Sequence, residues 1–300
     1  MLIEEYKRSL KMPQAEEVFD LVFYRPLAFV LVKGIYRLPV TPNQVTLFSL
    51  LAGLVAAWFF ASGNPGLLIG GAVWYAIANI LDCADGQLAR LQSSGTLLGR
   101  VVDGVADYIS SAAIFLGIGF GLAASGASAW WLVFMAGISS ALHAMFFDHE
   151  QSEFLSASRG DGRFLDGEIA QFAERVDDLK RSRQERMKIF ILSFYIRYLK
   201  LQQRASTRQE QHVCDPQLYR TRNRVMIRLW SFLGPTTNRS LLIACALSGR
   251  IEAYLWIVVV AGNIWLPVCY VLQGRIQRKI ASEAGGLPSS DPHGNLRGVS

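Results

Sequence analysis

The sequence predicts an all-α integral membrane protein. The expected form is a six-transmembrane-helix bundle with an N-terminal amphipathic interfacial helix and a helical cytoplasmic insert. Two observations carry this prediction. Apolar residues make up 51% of the 300 positions and mean hydropathy is positive, which is unusual for a soluble globule. In addition, 47–61, 67–81, 105–124, 130–147 and 254–272 are nearly free of charge. Each approaches the ~20 residues a spanning helix needs once polar flanks are counted. Because only helices and closed barrels satisfy their backbone in lipid, such segments must pack as helices.

Residues 1–40 read as a cytoplasmic arm. The stretch 1–12 is charged and lacks the apolar core and small-residue cleavage site of a secretory signal. From Glu17 to Val40, apolar residues alternate with Arg25, Lys33 and Arg37, a pattern too charged to span and suited to a helix lying in the interface. Thr41-Pro42-Asn43 then marks a helix start, with Thr41 as N-cap and Pro42 in the first turn. Spans are expected at 43–61, 67–90, 98–124 and 129–147, which place the first four membrane helices in 41–147. The last two are expected at 225–248 and 252–273. The fifth carries Arg224 and Arg228 and is interrupted by Gly234-Pro235-Thr236-Thr237-Asn238-Arg239. It therefore also fits an interfacial helix followed by a short span, with the polar break lining a cavity.

Between them lies a basic insert, 148–224. Its polar, glycine-rich stretch 156–167 reads as a loop, and its apolar run 189–201, broken by Arg197 and Lys200, as a segment on the membrane surface. The tail, 274–300, is expected to be cytoplasmic and disordered from Ser282. The outer turns at 62–66, 125–128 and 249–251 hold only Arg250, whereas the opposite side holds most of the basic residues. The positive-inside rule places both termini on the cytoplasmic side. Net charge is +6, concentrated in loops, and points to anionic lipid; no motif points to nucleic acid. The cysteines at 83, 214, 245 and 269 form no CxxC pair and read as reduced or lipid-facing.

The chemistry sits in one frame. Asp82-Cys83-Ala84-Asp85-Gly86-Gln87-Leu88-Ala89-Arg90 is followed, eight residues on, by Gly99-Arg100-Val101-Val102-Asp103-Gly104-Val105-Ala106-Asp107. Spacings of three and four put each aspartate pair on one helix face, and the hairpin between the two helices brings the pairs to one depth. Charges in membrane segments are costly and mark functional sites. Four carboxylates there disfavour one another's ionisation unless cations neutralise them. All-oxygen ligands suit Mg²⁺, Mn²⁺ or Ca²⁺, and two such ions would form a clamp suited to phosphoryl chemistry. Spans two and three themselves supply no matching cations. Gly86, Ala89, Gly99 and Gly104 remove bulk, and Arg90 lies one turn beyond Gly86, suitably placed for a phosphate.

The pattern D-x2-D-G-x2-A-R-x8-G-x3-D-x3-D resembles the signature of the CDP-alcohol phosphatidyltransferases at every fixed position. Thr41-Pro42-Asn43-Gln44-Val45-Thr46 resembles that family's entry into its first span. The resemblance is most specific over 41–107; the 148–224 insert is longer than in compact members. It implies that an alcohol hydroxyl attacks the β-phosphorus of a CDP-linked lipid, usually CDP-diacylglycerol, and that CMP leaves. It further implies that Asp82, Asp85, Asp103 and Asp107 hold two divalent ions, Mg²⁺ or Mn²⁺ with Ca²⁺ as another occupant, and that Asp107 is the general base. CDP is then expected near Thr41, Pro42, Asn43, Gln44, Gly86, Arg90 and Thr96, and a homodimer is expected.

The acceptor is less determined. Arg222, Arg224, Arg228 and Arg239 cluster near the fifth span. Arg239, set among Thr236, Thr237 and Asn238, is the strongest acceptor residue, with Asn238 and Arg228 beside it. The first three arginines are equally well explained as anchors to lipid headgroups. An inositol or inositol phosphate acceptor is the first expectation; glycerol phosphate, serine and an amino alcohol remain alternatives. His143 and Asp148-His149-Glu150 are better explained by a span meeting water than by a second metal. Gly117-x3-Gly121 suits helix packing within the chain. A rival class, an ion-coupled transporter, should show paired repeats and spans broken in both halves, and the sequence has neither.

Overall fold

In a computed structural model of the chain, residues 2–127, 129–159, 164–181 and 216–284 are described, with single positions between 189 and 200; every element among them is helical. The arm contains α1 (Leu2–Ser9) and a π turn (Asp20–Tyr24) that runs directly into α2 (Arg25–Ile35). The membrane region follows with α3 (Pro42–Ala61), α4 (Pro65–Leu91), α5 (Leu97–Ala124) and α6 (Trp130–Arg159). Beyond it come α7 (Phe164–Arg181), α8 (Pro216–Trp230) with a 3₁₀ turn (Ser231–Leu233), and α9 (Pro235–Leu247). The chain continues as α10 (Ile251–Trp256), a π segment (Ile257–Gly262) and α11 (Asn263–Ala284).

Among the described residues, five helices are long and apolar enough to cross a membrane: Pro42–Ala61, Pro65–Leu91, Leu98–Ala124, Trp130–Ser158 and the continuous run Ile251–Ile280. The expected fifth, 225–248, is divided, as the alternative of a helix followed by a short span had it. Gly234 takes an extended conformation (φ −67°, ψ 153°) and Pro235 opens a new helix. The residue before a proline is sterically pushed out of the helical region, so the break is written into the Gly-Pro pair. The resulting α9 has 13 residues. At 1.5 Å per residue it reaches only ~20 Å, short of a ~30 Å hydrocarbon core.

The first span begins as expected. Thr41 Oγ1 accepts from the Gln44 N–H at 3.4 Å, the Gln44 side chain accepts from the Thr41 N–H at 2.9 Å, and Pro42 needs no partner at the first position. The turns at Gly63, Gly126 and Gly249 each use a glycine at positive φ (65°, 85° and 67°). The core between α3, α4, α5, α6, α9 and α10 is rich in small residues, among them Ala52, Ala56, Ala57, Ala72 and Ala136. Small residues let backbones approach where lipid removes the hydrophobic drive for helix association. Gly117 and Gly121 lie against the carbonyls of Ala57 and Phe60, so the Gly-x3-Gly face packs α5 on α3 within the chain.

Several expectations are corrected. The stretch 156–167 is not simply a loop: α6 continues to Arg159 and α7 begins at Phe164. Within 189–201 only some positions are described. Leu192 and Leu199 are buried with Phe172 and Val176 of α7 and Val101 of α5, because α7 offers a complementary apolar face. Residues 282–284 belong to α11, while 285–300 lie outside the described residues, as does Cys214. Cys83, Cys245 and Cys269 are free thiols buried in protein contacts.

The arm does more than rest on a surface. Through Ala28 and Val32, α2 packs on Cys83, Ala84 and Leu88 of α4. It also buries charge, since Glu16, Glu17, Asp20 and Arg25 are each at most 7% exposed. Such groups remain buried only when paired or hydrogen-bonded. Arg25 donates to Glu16 at 3.0 Å, and the Arg25 carbonyl accepts from Gln87 Nε2 at 3.1 Å.

Candidate active site

The spacing argument holds in three dimensions. Asp82, Asp85 and Asp103 each present a carboxylate oxygen within 4.8 Å of the others, so the end of α4 and the start of α5 converge. Thr46 of α3 donates to Asp85 Oδ2 at 2.6 Å and so fixes that carboxylate. Asp103 Oδ1 is buried without a hydrogen-bond partner among the described residues. An orphaned, buried carboxylate oxygen facing two further carboxylates is what a hard divalent cation would satisfy, and the all-oxygen donor set fits Mg²⁺ or Mn²⁺. These three residues would hold such an ion.

Asp107 adjoins this triad at Asp82. Its Oδ1 accepts from Arg239 Nη2 at 2.7 Å, while Arg239 Nη1 donates to Asp82 Oδ2 and to Asn79 Oδ1, both at 3.0 Å. A cation for two of the acids therefore comes from outside the hairpin. It comes from α9, far away in sequence, and is 8% exposed. Forked guanidinium donors suit two carboxylates at once. One guanidinium against four carboxylates still leaves an excess of negative charge.

The other expected site residues divide. Thr96 caps α5 by accepting from the Gly99 N–H at 2.9 Å, and a Cβ at Gly99 would stand 3.2 Å from Asn43 Oδ1, so the starts of α3 and α5 adjoin. Thr41, Pro42 and Gln44 form the cap of α3 at this end. Beside Gly86 lies the Arg90 guanidinium, close enough that a Cβ there would press on it at 3.3 Å. Arg90 Nε donates to the Ser9 carbonyl at 2.5 Å, and its buried Nη2 has no partner among the described residues, leaving an N–H for an anion. Asn238 donates to Ser140 Oγ at 2.5 Å and so faces α6. The Arg228 guanidinium donates to the carbonyls of Glu16 (2.7 Å) and Pro13 (2.8 Å), tying the arm to α8.

Sequence reasoning missed Thr46, Asn79 and Tyr75. Tyr75, Asn79, Asp82 and Gly86 recur at spacings of four, three and four, one stripe of α4, and Tyr75 also hydrogen-bonds Arg239. Polar residues on the stripe that carries Asp82 were the available signal.

The sequence model of the CDP-alcohol phosphatidyltransferase family matches residues 39–203, more than half of the chain and all four aspartates. Among curated proteins, the phosphatidylinositol phosphate synthase of Corynebacterium glutamicum is 31% identical over 160 residues, covering 52% of this chain and 66% of that protein. That of Mycobacteroides abscessus is 30% identical over 152 residues, covering 49% and 63%. The archaetidylinositol phosphate synthase of Pyrococcus horikoshii is 33% identical over 108 residues, covering 36% and 54%. The matched stretches span just under two thirds of the first two relatives. A match of that extent, carried by helices whose acids meet in space, makes this chain a member of the CDP-alcohol phosphatidyltransferase family.

Proposed function

We propose that this protein transfers a phosphatidyl group from CDP-diacylglycerol to a hydroxyl of inositol phosphate and releases CMP. The observation that carries the reading is the convergence of Asp82, Asp85 and Asp103 beside Asp107, which Arg239 holds. Divalent ions bound there would neutralise the pyrophosphate and polarise the reacting phosphorus. The acceptor hydroxyl forms a new O–P bond at the β-phosphorus, and the bond to CMP breaks with its electron pair leaving on CMP. The hydroxyl proton passes to Asp107, the general base.

Each protein group has a stated task. Arg239 aims Asp107, and its charge favours an acceptor that carries a phosphate. Thr46 orients Asp85. Arg90 and Gly86, with Thr41, Pro42, Asn43, Gln44 and Thr96 at the adjoining helix starts, make room for CDP. The inositol phosphate assignment is supported by the names of the relatives and by the basic residue at Asp107. Asn238 lies next to Arg239 and belongs to the acceptor side.

The rest of the architecture follows the same reading. Five spans with α8 and the short α9 form a six-membered bundle, with the arm in the interface. The site, the insert and both termini face the cytoplasm, and the protein works as a homodimer.

Detergent-purified protein should release CMP from CDP-diacylglycerol only with Mg²⁺ or Mn²⁺, and fastest with inositol phosphate among inositol, glycerol phosphate, serine and amino alcohols. Metal-independent release, or equal rates with every alcohol, would refute the mechanism or the acceptor respectively.

A further inference from the structure

The arm touches both walls of the site. On the α4 side, Asp20 Oδ1 accepts from Cys83 Sγ at 3.4 Å and the Arg25 carbonyl from Gln87, residues that flank Asp85. On the α9 side, the Glu17 carboxylate accepts from the Thr236 N–H (3.1 Å), the Thr237 N–H (2.7 Å) and Thr237 Oγ1 (2.8 Å). One turn on, the Tyr24 hydroxyl meets Ser240 Oγ at 3.1 Å, next to Arg239.

We propose that Glu17 is a positioning residue: seated on the first turn of α9, it fixes the rotation and depth of that short helix so that Arg239 stands between Asp82 and Asp107. This rests on the reading of that centre given above.

Three features support the assignment. First, α9 starts afresh at Gly234-Pro235, so no continuous helix fixes the end that carries Arg239; the 3₁₀ turn before it contributes the Ser231 carbonyl, which shares the Thr237 hydroxyl with Glu17 at 2.8 Å. Its first N–H groups are buried and lack intrahelical acceptors, and the Glu17 carboxyl oxygens satisfy two of them. Second, the cap is not local. Gly234 precedes the helix and offers no side chain; the acceptor comes from 219 residues away. A Cβ at Gly234 would overlap the Glu17 carboxylate, so the glycine makes room for it. Third, Glu17 is 2% exposed. Burial pushes its carboxyl up to about 8 even against the three donors. A serine at 234 would cap the same helix without burying an acid. What the buried acid adds is a tether between the arm and α9.

The test combines kinetics with backbone hydrogen exchange on the full-length protein. Glu17→Ala should raise exchange at Thr236 and Thr237 and on to Arg239. It should lower kcat/KM for inositol phosphate about tenfold, the scale of a lost supporting partner, with the KM for CDP-diacylglycerol within about twofold. Glu17→Gln, which keeps one acceptor oxygen, should restore most of the loss. In an Arg239→Ala background, Glu17→Ala should cost nothing further, because positions acting through one another are non-additive. Gly234→Ala should mimic Glu17→Ala and add little to it.

Acceptor kinetics like wild type in Glu17→Ala, or losses that add fully to those of Arg239→Ala, would overturn the inference while leaving the proposed function standing. If wild-type protein transfers nothing, the proposed function fails and exchange alone decides: increased exchange reaching Arg239 supports the positioning role, and unchanged exchange overturns it. A Glu4→Ala control, at an exposed arm residue paired only with Lys7, should behave as wild type.

Discussion

The aspartate hairpin and the junction of the arm with α9 build opposite sides of one site by different means. In the hairpin, four acids lie within 26 residues, and helix periodicity alone puts them on facing stripes. In the junction, Glu17, Asp20 and Tyr24 meet Thr236, Thr237 and Ser240 across more than 200 residues, and the meeting depends on how the intervening helices pack. The hairpin gathers negative charge; the junction delivers the one guanidinium that Asp82 and Asp107 share. The comparison teaches that chemistry needing several like groups can be written locally, whereas its counter-charge can come from anywhere that packing allows.

The contrast is open to direct attack, beginning with the hairpin. Asp107→Asn should lower kcat by about 100- to 10,000-fold, the range for a lost general base, with CDP-lipid binding retained; near-normal turnover would remove the base assignment. Chelation by EDTA should abolish CMP release, and Mn²⁺ should restore it. Across the site, Arg239→Ala removes a charge-assisted hydrogen-bonding partner, so the acceptor KM should rise about tenfold or more while that of CDP-diacylglycerol changes less. Equal rises in both would place Arg239 outside the acceptor side. Thr46→Val keeps the shape of the side chain but frees Asp85, and turnover should fall about tenfold, with a matching loss of apparent Mg²⁺ affinity.

The smallest effect concerns stability. Glu17 holds its proton more tightly in the folded protein than in the unfolded chain, because burial, with Asp20 adding to it, raises its carboxyl from an ordinary 4.5 to about 8. Its contribution is therefore complete below about 4.5 and is lost as pH rises through about 8. Thermal unfolding in detergent should show Tm falling over this window, and Glu17→Gln should flatten the slope. A slope unchanged in that variant would mean that Glu17 is not the titrating group.

Much of this was legible in the residues. The cap at Thr41, the spans of α3 to α6, the glycine turns and the convergence of Asp82, Asp85 and Asp103 all follow from short-range rules. What escaped is instructive. The fifth span, 225–248, carried two readings in the sequence, and only the structure shows that the Gly234-Pro235 pair ends one helix and starts another. Arg228 read as an acceptor residue because basic charge near a site looks alike whatever it faces, and only the structure shows its carbonyl partners in the arm.

The sequence by itself determined which acids share a helix face, where the long apolar helices begin, and the family to which the chain belongs, since periodicity, capping and motif spacing act within a few turns of helix. Only the tertiary structure decided that Asp107 pairs with Arg239, that Thr46 holds Asp85, and that an acid from the arm seats α9. Those contacts join positions with no fixed distance along the chain, and burial, which converts a weak solvated attraction into a binding constraint, exists only once the helices have packed.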